Sequence, residues 1–169
     1  MVLIRQASET SALDDVRSLM RALFEEYRER HIDDVALINK YFDPLIHERE
    51  LAALPGEYVP PAGALLIAYA AGKPAGCVML HNLGRGACEL RRMFVPAGFR
   101  GIGVGRALVD RVTANAKAAN YSLMRLYTTN RQHEAIRLYE RVGFVRTAPY
   151  YAIKDRILKD WLIFFELEL

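Results

Sequence analysis

Two features of this chain have the residue types and spacing to do chemistry. The first is the run Arg100-Gly101-Ile102-Gly103-Val104-Gly105-Arg106, which stands between an apolar segment and an amphipathic one. Glycines let a backbone turn tightly and let a ligand approach the main chain. Successive N–H groups in such a turn form a nest for an anion, and a following helix adds its positive dipole end and its unsatisfied first-turn donors. Arg100 and Arg106 add charge, so the run suits a pyrophosphate. The second is the strand-like run ahead of it, Cys88 to Val95, whose broken apolar alternation would leave main-chain groups unpaired for a ligand.

The loop is not one of the common nucleotide signatures. A dinucleotide fold wants Gly-x-Gly-x-x-Gly, and the last position here is Arg106. A phosphate-binding P-loop wants Gly-Lys-Ser/Thr, and the chain has Gly105-Arg106-Ala107.

These groups must be held by surrounding elements, and the hydrophobic spacing says which. Val2 to Gln6 reads as a short strand. Ser11 and Asp14 read as the start of a helix, with Val16, Leu19, Met20, Leu23, Phe24 and Tyr27 on one face. Asp33 to Leu54 reads as helical pieces broken near Pro44, a wall or lid. Three strands in succession follow, Ala64 to Ala70, Ala75 to Leu83 and Cys88 to Val95, with turns at Ala71-Gly72-Lys73-Pro74 and Gly84-Arg85-Gly86. A helix from Val104 to Asn120 comes next, then a strand from Leu123 to Thr128. A helix from Glu134 to Val142 is stopped by Gly143, and Trp161 to Leu169 closes the chain as a strand. A meander followed by strand–helix–strand implies an α/β fold with a mixed, mostly antiparallel sheet flanked by helices. Leu90 and Met93 are both apolar but three apart, so alternation cannot bury both; a bulge near Arg91-Arg92 resolves this and splays the strand.

The run Glu89-Leu90-Arg91-Arg92-Met93-Phe94-Val95-Pro96 with the glycine loop through Leu108 closely resembles the central motif of the GNAT superfamily of N-acetyltransferases. Ala135-Ile136-Arg137-Leu138-Tyr139-Glu140-Arg141-Val142-Gly143-Phe144 resembles that family's second motif, in the family's order and spacing. The resemblance implies acetyl-CoA as co-substrate. It implies main-chain contacts to the pantetheine arm at Met93, Phe94 and Val95, and pyrophosphate contacts at Arg100, Gly101, Ile102, Gly103, Val104, Gly105 and Arg106. Tyr139 matches the tyrosine near the cofactor sulfur, and Glu89 matches a strand glutamate that serves some members as general base. The family's asparagine before the second motif has its nearest equivalent in Gln132, with Asn130 two residues earlier, and the sequence leaves open which of them meets the cofactor. Glu25, Tyr27, His31, Tyr150 and Tyr151 fall where members line the acceptor pocket. The implied reaction is transfer of an acetyl group to a primary amine of a small molecule by direct attack. The alternatives are a protein or peptide N-acetyltransferase and a non-catalytic acyl-CoA-binding module.

That reaction has two proton requirements. An amine with pKa near ~10.4 costs about 4.6 kcal/mol to neutralise at pH 7, and the thiolate of CoA, with thiol pKa near ~8.5, takes a proton back. Glu89 and Tyr139 are the residue types for these two tasks. The acidic residues Glu25-Glu26 and Asp33-Asp34 suggest a cationic acceptor or a solvated helix end.

Composition bounds the rest. The 169 residues make one N-acetyltransferase-like domain, 1–169, with a net charge of +3 that does not suggest nucleic-acid binding. Cys77 and Cys88 read as buried free thiols of a reducing compartment. His31, His47, His81 and His133 are too scattered for a metal site, so no metal is expected. No secretion leader or membrane span is read, so the chain is expected in the cytoplasm, and the apolar closing strand suggests a homodimer.

Overall fold

A computed structural model describes residues 1–169. Seven strands form one sheet: β1 (Val2–Gln6), β2 (Ala64–Ala70), β3 (Lys73–Gly84), β4 (Ala87–Phe94), β5 (Leu123–Thr129), β6 (Val145–Thr147) and β7 (Leu162–Glu168). Their spatial order is β1-β2-β3-β4-β5-β7-β6. Every pairing is antiparallel except β4 with β5, as expected of a meander joined to a strand–helix–strand unit.

The helices are α1 (Thr10–Arg30), α2 (Val35–Tyr41), α3 (Pro44–Ala52), α4 (Val104–Ala118), α5 (His133–Val142) and α6 (Arg156–Trp161). Alternate residues of β2 point to two different cores. Leu66 and Ala68 join Val104, Leu108, Val112 and Ile136 in the cluster under α4 and α5. Leu65 and Ile67 join Val16, Met20 and Leu23 in the cluster under α1. Burial on both faces is why β2 reads as an almost continuous apolar run. A third, smaller cluster of Ile38, Leu158 and Trp161 ties α2 to α6.

Several boundaries differ from the sequence reading. Helix α1 starts one residue before Ser11, with Glu9 at the cap position and no capping side chain. The Asp43 carboxylate accepts from the Leu45 and Ile46 N–H groups, and Pro44 opens α3, which accounts for the break. Trp161 ends α6 instead of opening the last strand. The closing strand β7 lies inside the sheet, between β5 and β6. Its apolar residues therefore serve this fold, and the reason for expecting a homodimer through it falls away. No helix is long and apolar enough to cross a membrane.

Candidate active site

The site is made by a fault in the sheet. Strand β4 pairs with β5 only from Ala87–Leu123 to Glu89–Arg125, and beyond that the two diverge. On its other side β4 places Arg92 and Met93 opposite the single residue Val78, between the pairs Cys77–Phe94 and Met79–Arg91. That is the expected bulge, and Arg92 takes φ +51 to make it. The extra residue puts Leu90 and Met93 against the same core. A cavity of about 680 Å³ occupies the opening, bordered by Leu90 to Phe94 of β4 and Val95 after it, Tyr127 to Thr129 of β5, and residues of α1, α2, α5 and the segment before α6.

Tyr139 and Gln132 come to the cavity from α5 and the residue before it. The Tyr139 ring is buried and its hydroxyl donates to Met93 Sδ at 3.6 Å, a weak acceptor. Burial raises its pKa, so the phenol keeps its proton at neutral pH. Gln132 is buried, borders the cavity and leaves Nε2 without a partner. Asn130 is exposed, its side chain turned to the Asp160 carbonyl at 3.5 Å, and does not border the cavity.

The glycine loop is on the surface beyond Arg100. Gly101 has φ +79 and Gly103 has φ +90, left-handed geometry that a side chain would strain. Gly103 caps α4 with no side chain, which leaves the first-turn N–H groups available. Gly105 approaches α5 closely: a Cβ there would lie 3.1 Å from Leu138 Cδ2. Ile102 is exposed, and Val104 anchors the helix in the core. The arginines are less free than the sequence suggests. Arg106 is bonded to Asp110, and Arg100 donates to the Val95 carbonyl at 2.9 Å and to the Glu26 carboxylate.

Glu89 has no exposed surface and does not border the cavity. Its carboxylate accepts from Arg91 Nε, from the Tyr150 hydroxyl at 2.8 Å and from the Tyr151 hydroxyl at 2.9 Å. Arg91 and Tyr151 do border the cavity, and Arg91 Nη2 donates to the Tyr151 oxygen at 3.1 Å. Burial, and then the Glu89 charge, raises the pKa of the Tyr150 phenol. Tyr27 lines the wall, and burial pushes its pKa up to about 12. His31 lies behind the wall, 3.0 Å from Thr129 Oγ1 and stacked on Trp161. Glu25 is spent on Arg28 at the surface.

The acidic residues are not a free patch. Glu26 is held by Arg30 and Arg100, and Asp33 by Arg131. Arg30 also holds Glu134 and draws its carboxyl down to about 2. Sequence reading missed the aromatic lining that Tyr41, Phe42, Tyr58 and Phe164 supply. Tyr41 ends α2, Phe42 follows it, Tyr58 lies in the loop before β2 and Phe164 lies in β7, so no spacing in the sequence groups them.

A model of the acetyltransferase (GNAT) family matches residues 16–144. The chain is 32% identical over 145 residues to an uncharacterized N-acetyltransferase of Schizosaccharomyces pombe, a match covering 82% of this chain and 80% of that one. It is 36% identical over 112 residues to the N-acetylaspartate synthetase of Danio rerio, covering 65% of this chain but only 39% of that longer protein. Among solved structures, the PaiA N-acetyltransferase of Thermoplasma acidophilum, in complex with coenzyme A, superposes with a TM-score of 0.71 at 14% identity over 100% of this chain and 99% of that one. An acetyltransferase of Streptococcus agalactiae gives 0.75 at 19% identity, covering 99% and 98%. On the family match and the shared fold, this chain belongs to the GNAT family of acetyltransferases.

Proposed function

We propose that this protein transfers an acetyl group from acetyl-CoA to a primary amine of a small molecule by direct attack. The observation that carries the reading is the divergence of β4 from β5 directly beside a buried, protonated Tyr139. The opened edge of β4 at Met93, Phe94 and Val95 offers main-chain groups to an extended amide-containing arm. The residues present fit such a co-substrate. Gly101 to Arg106 offer an uncapped helix start for its pyrophosphate. The buried, unpartnered Gln132 amide at the cavity supports Gln132 over Asn130 as the residue that meets the arm. Acetyl-CoA supplies an activated thioester carbon.

Two protons leave the acceptor nitrogen. The ammonium loses one before attack; its nitrogen then bonds to the acyl carbon as the carbon–sulfur bond breaks and loses the second, which balances the one the departing thiolate takes up. Tyr139 is placed to give the thiolate its proton and to be reprotonated by the second one, because burial keeps its phenol protonated. Glu89 is sealed from the cavity and therefore acts on the amine through Tyr151, whose hydroxyl it holds and whose ring borders the cavity. The proton passes from ammonium to the Tyr151 oxygen as the Tyr151 proton passes to Glu89.

The test is release of free thiol from acetyl-CoA across a set of primary amines. Turnover is expected for the wild type. Tyr139→Phe is expected to lower kcat by roughly a hundredfold or more, the usual range for a lost general acid, with the KM for acetyl-CoA little changed. An unchanged kcat removes Tyr139 from the chemistry. Tight CoA binding with no turnover on any amine leaves an acyl-CoA-binding module.

A further inference from the structure

The acceptor end of the cavity has a distinct chemistry. Its walls are aromatic: the Tyr27 and Phe42 rings stack at 5.3 Å and 4°, and Tyr41, Tyr127 and Phe164 complete the lining. Its charges are lopsided. The three carboxylates that border the cavity are each held by arginine: Glu26 by Arg30 and Arg100, Glu134 by Arg30, Glu50 by Arg92 at 3.2 Å. Glu89, behind the wall, is held by Arg91. No carboxylate is left over for a second cation. One cation, Lys154, is unpaired, and Arg92 gives Glu50 only a single Nη2 bond and keeps donors to spare. Arg92, projected by the bulge, lies over Phe24 and Phe42 and has only the half-exposed Glu50 as ion partner. Lys154 borders the cavity with no carboxylate within 4.0 Å.

We infer that the acceptor is an amine that also carries a carboxylate and an aromatic or bulky apolar body, the chemical class of the aromatic α-amino acids, with Arg92 and Lys154 receiving the carboxylate. This rests on the reading above that the cavity takes an amine. An aromatic body gains by stacking between rings already in place. A carboxylate meets two cations in a partly desolvated site, where charge-assisted bonds are strong. A polyamine would bring a second ammonium toward Arg92 and Lys154 with no acid there but the Glu50 that Arg92 already holds.

The experiment compares kcat/KM, per neutral amine, for phenylalanine, phenethylamine, spermidine and a short C-terminally amidated peptide beginning with phenylalanine. Phenylalanine is expected to exceed phenethylamine by roughly tenfold to a hundredfold, the worth of one or two charged hydrogen bonds. Lys154→Ala is expected to narrow that ratio. Equal rates for phenylalanine and phenethylamine, or a preference for spermidine, overturn the inference. A preference for the peptide overturns the small-molecule form of it. A second readout does not need turnover: 3-phenylpropanoate is expected to raise the melting temperature of the CoA-loaded protein, and 3-phenylpropan-1-ol is not. If the acid stabilises and no amine reacts, the carboxylate subsite stands and the amine transfer fails. If amines react without any preference for the carboxylate, the reverse holds.

Discussion

At the scale of single residues, Glu89 is decided by its partners. A base needs a free lone pair facing the nucleophile, and this carboxylate is enclosed by Arg91, Tyr150 and Tyr151. The two tyrosines bond to the same group but differ in what else they touch, since Tyr151 borders the cavity and Tyr150 does not. Both phenols have pKa values raised first by burial, so both are proton donors at neutral pH. Tyr151→Phe is expected to lower kcat about a hundredfold, roughly the smallest share general acid–base catalysis usually contributes. Tyr150→Phe removes a hydrogen bond to a charged group, worth about 1.5–3 kcal/mol, and is expected to show mainly as a lower melting temperature. Measuring both quantities for both variants separates the roles. Equal losses of kcat would make Glu89 the anchor of the Tyr150–Tyr151 segment and nothing more. The carboxylate was legible in the sequence as a strand residue ahead of the glycine loop. Its enclosure was not, because the two phenols lie 61 and 62 residues away along the chain.

At the scale of elements, the glycines show how the sheet and the loop are built. Gly76 of β3 faces the end of β4, where a Cβ would lie 2.7 Å from the Phe94 carbonyl oxygen and 3.0 Å from Leu108 Cδ1. The first of those is main chain and cannot rotate away. Gly103 has open space around its absent Cβ and pays only in dihedral strain at φ +90. Both alanine variants are therefore expected to be less stable, Gly103→Ala by about 1–2 kcal/mol and Gly76→Ala by about 1–3 kcal/mol from overpacking. They differ in binding: Gly103→Ala is expected also to weaken acetyl-CoA, read as KM, because it disturbs the turn that presents the first N–H groups of α4. Unchanged KM would move the pyrophosphate away from that loop. Much of this level was readable in advance. The three-residue spacing of Leu90 and Met93 required a bulge, and Gly143 at φ +109 ends α5 as a left-handed cap. The short elements were not readable: three residues of β6 and six of α6 are too few for a periodicity. The acidic stretch at the end of α1 was misleading for a related reason. Glu26 has its second arginine 74 residues away, at the glycine loop, so a local reading sees a charge and not its partner.

At the scale of the whole molecule, the helices that wall the acceptor side are joined by buried imidazoles as well as by the apolar clusters under α1 and between α2 and α6. His47 of α3 rests on the Phe24 ring of α1 at 3.6 Å, with neither nitrogen bonded. His31, at the end of α1, stacks on Trp161 of α6 and bonds to Thr129 of β5. Burial lowers the pKa of both. For His47, Arg92 lowers it further while Glu50 and Glu48 oppose; for His31, Arg131 and Arg30 lower it and Asp34 opposes. The folded protein thus holds both rings neutral at pH values where the unfolded chain, with histidine near 6.5, has begun to protonate. Unfolding then takes up protons, so the stability from these groups is full above pH 6.5 and is lost as pH falls through the lower folded values. The carboxylate pairs act in a different window: Glu134, drawn down to about 2 from 4.5, gives up its contribution only below pH 4.5. Between pH 7 and 5 the fall in stability is therefore expected to come from the histidines. Urea midpoints measured at pH 7 and 5 are expected to drop in the wild type, and to drop less in His47→Leu, which keeps an apolar side chain against Phe24. The same drop in both proteins would mean that His47 titrates alike folded and unfolded.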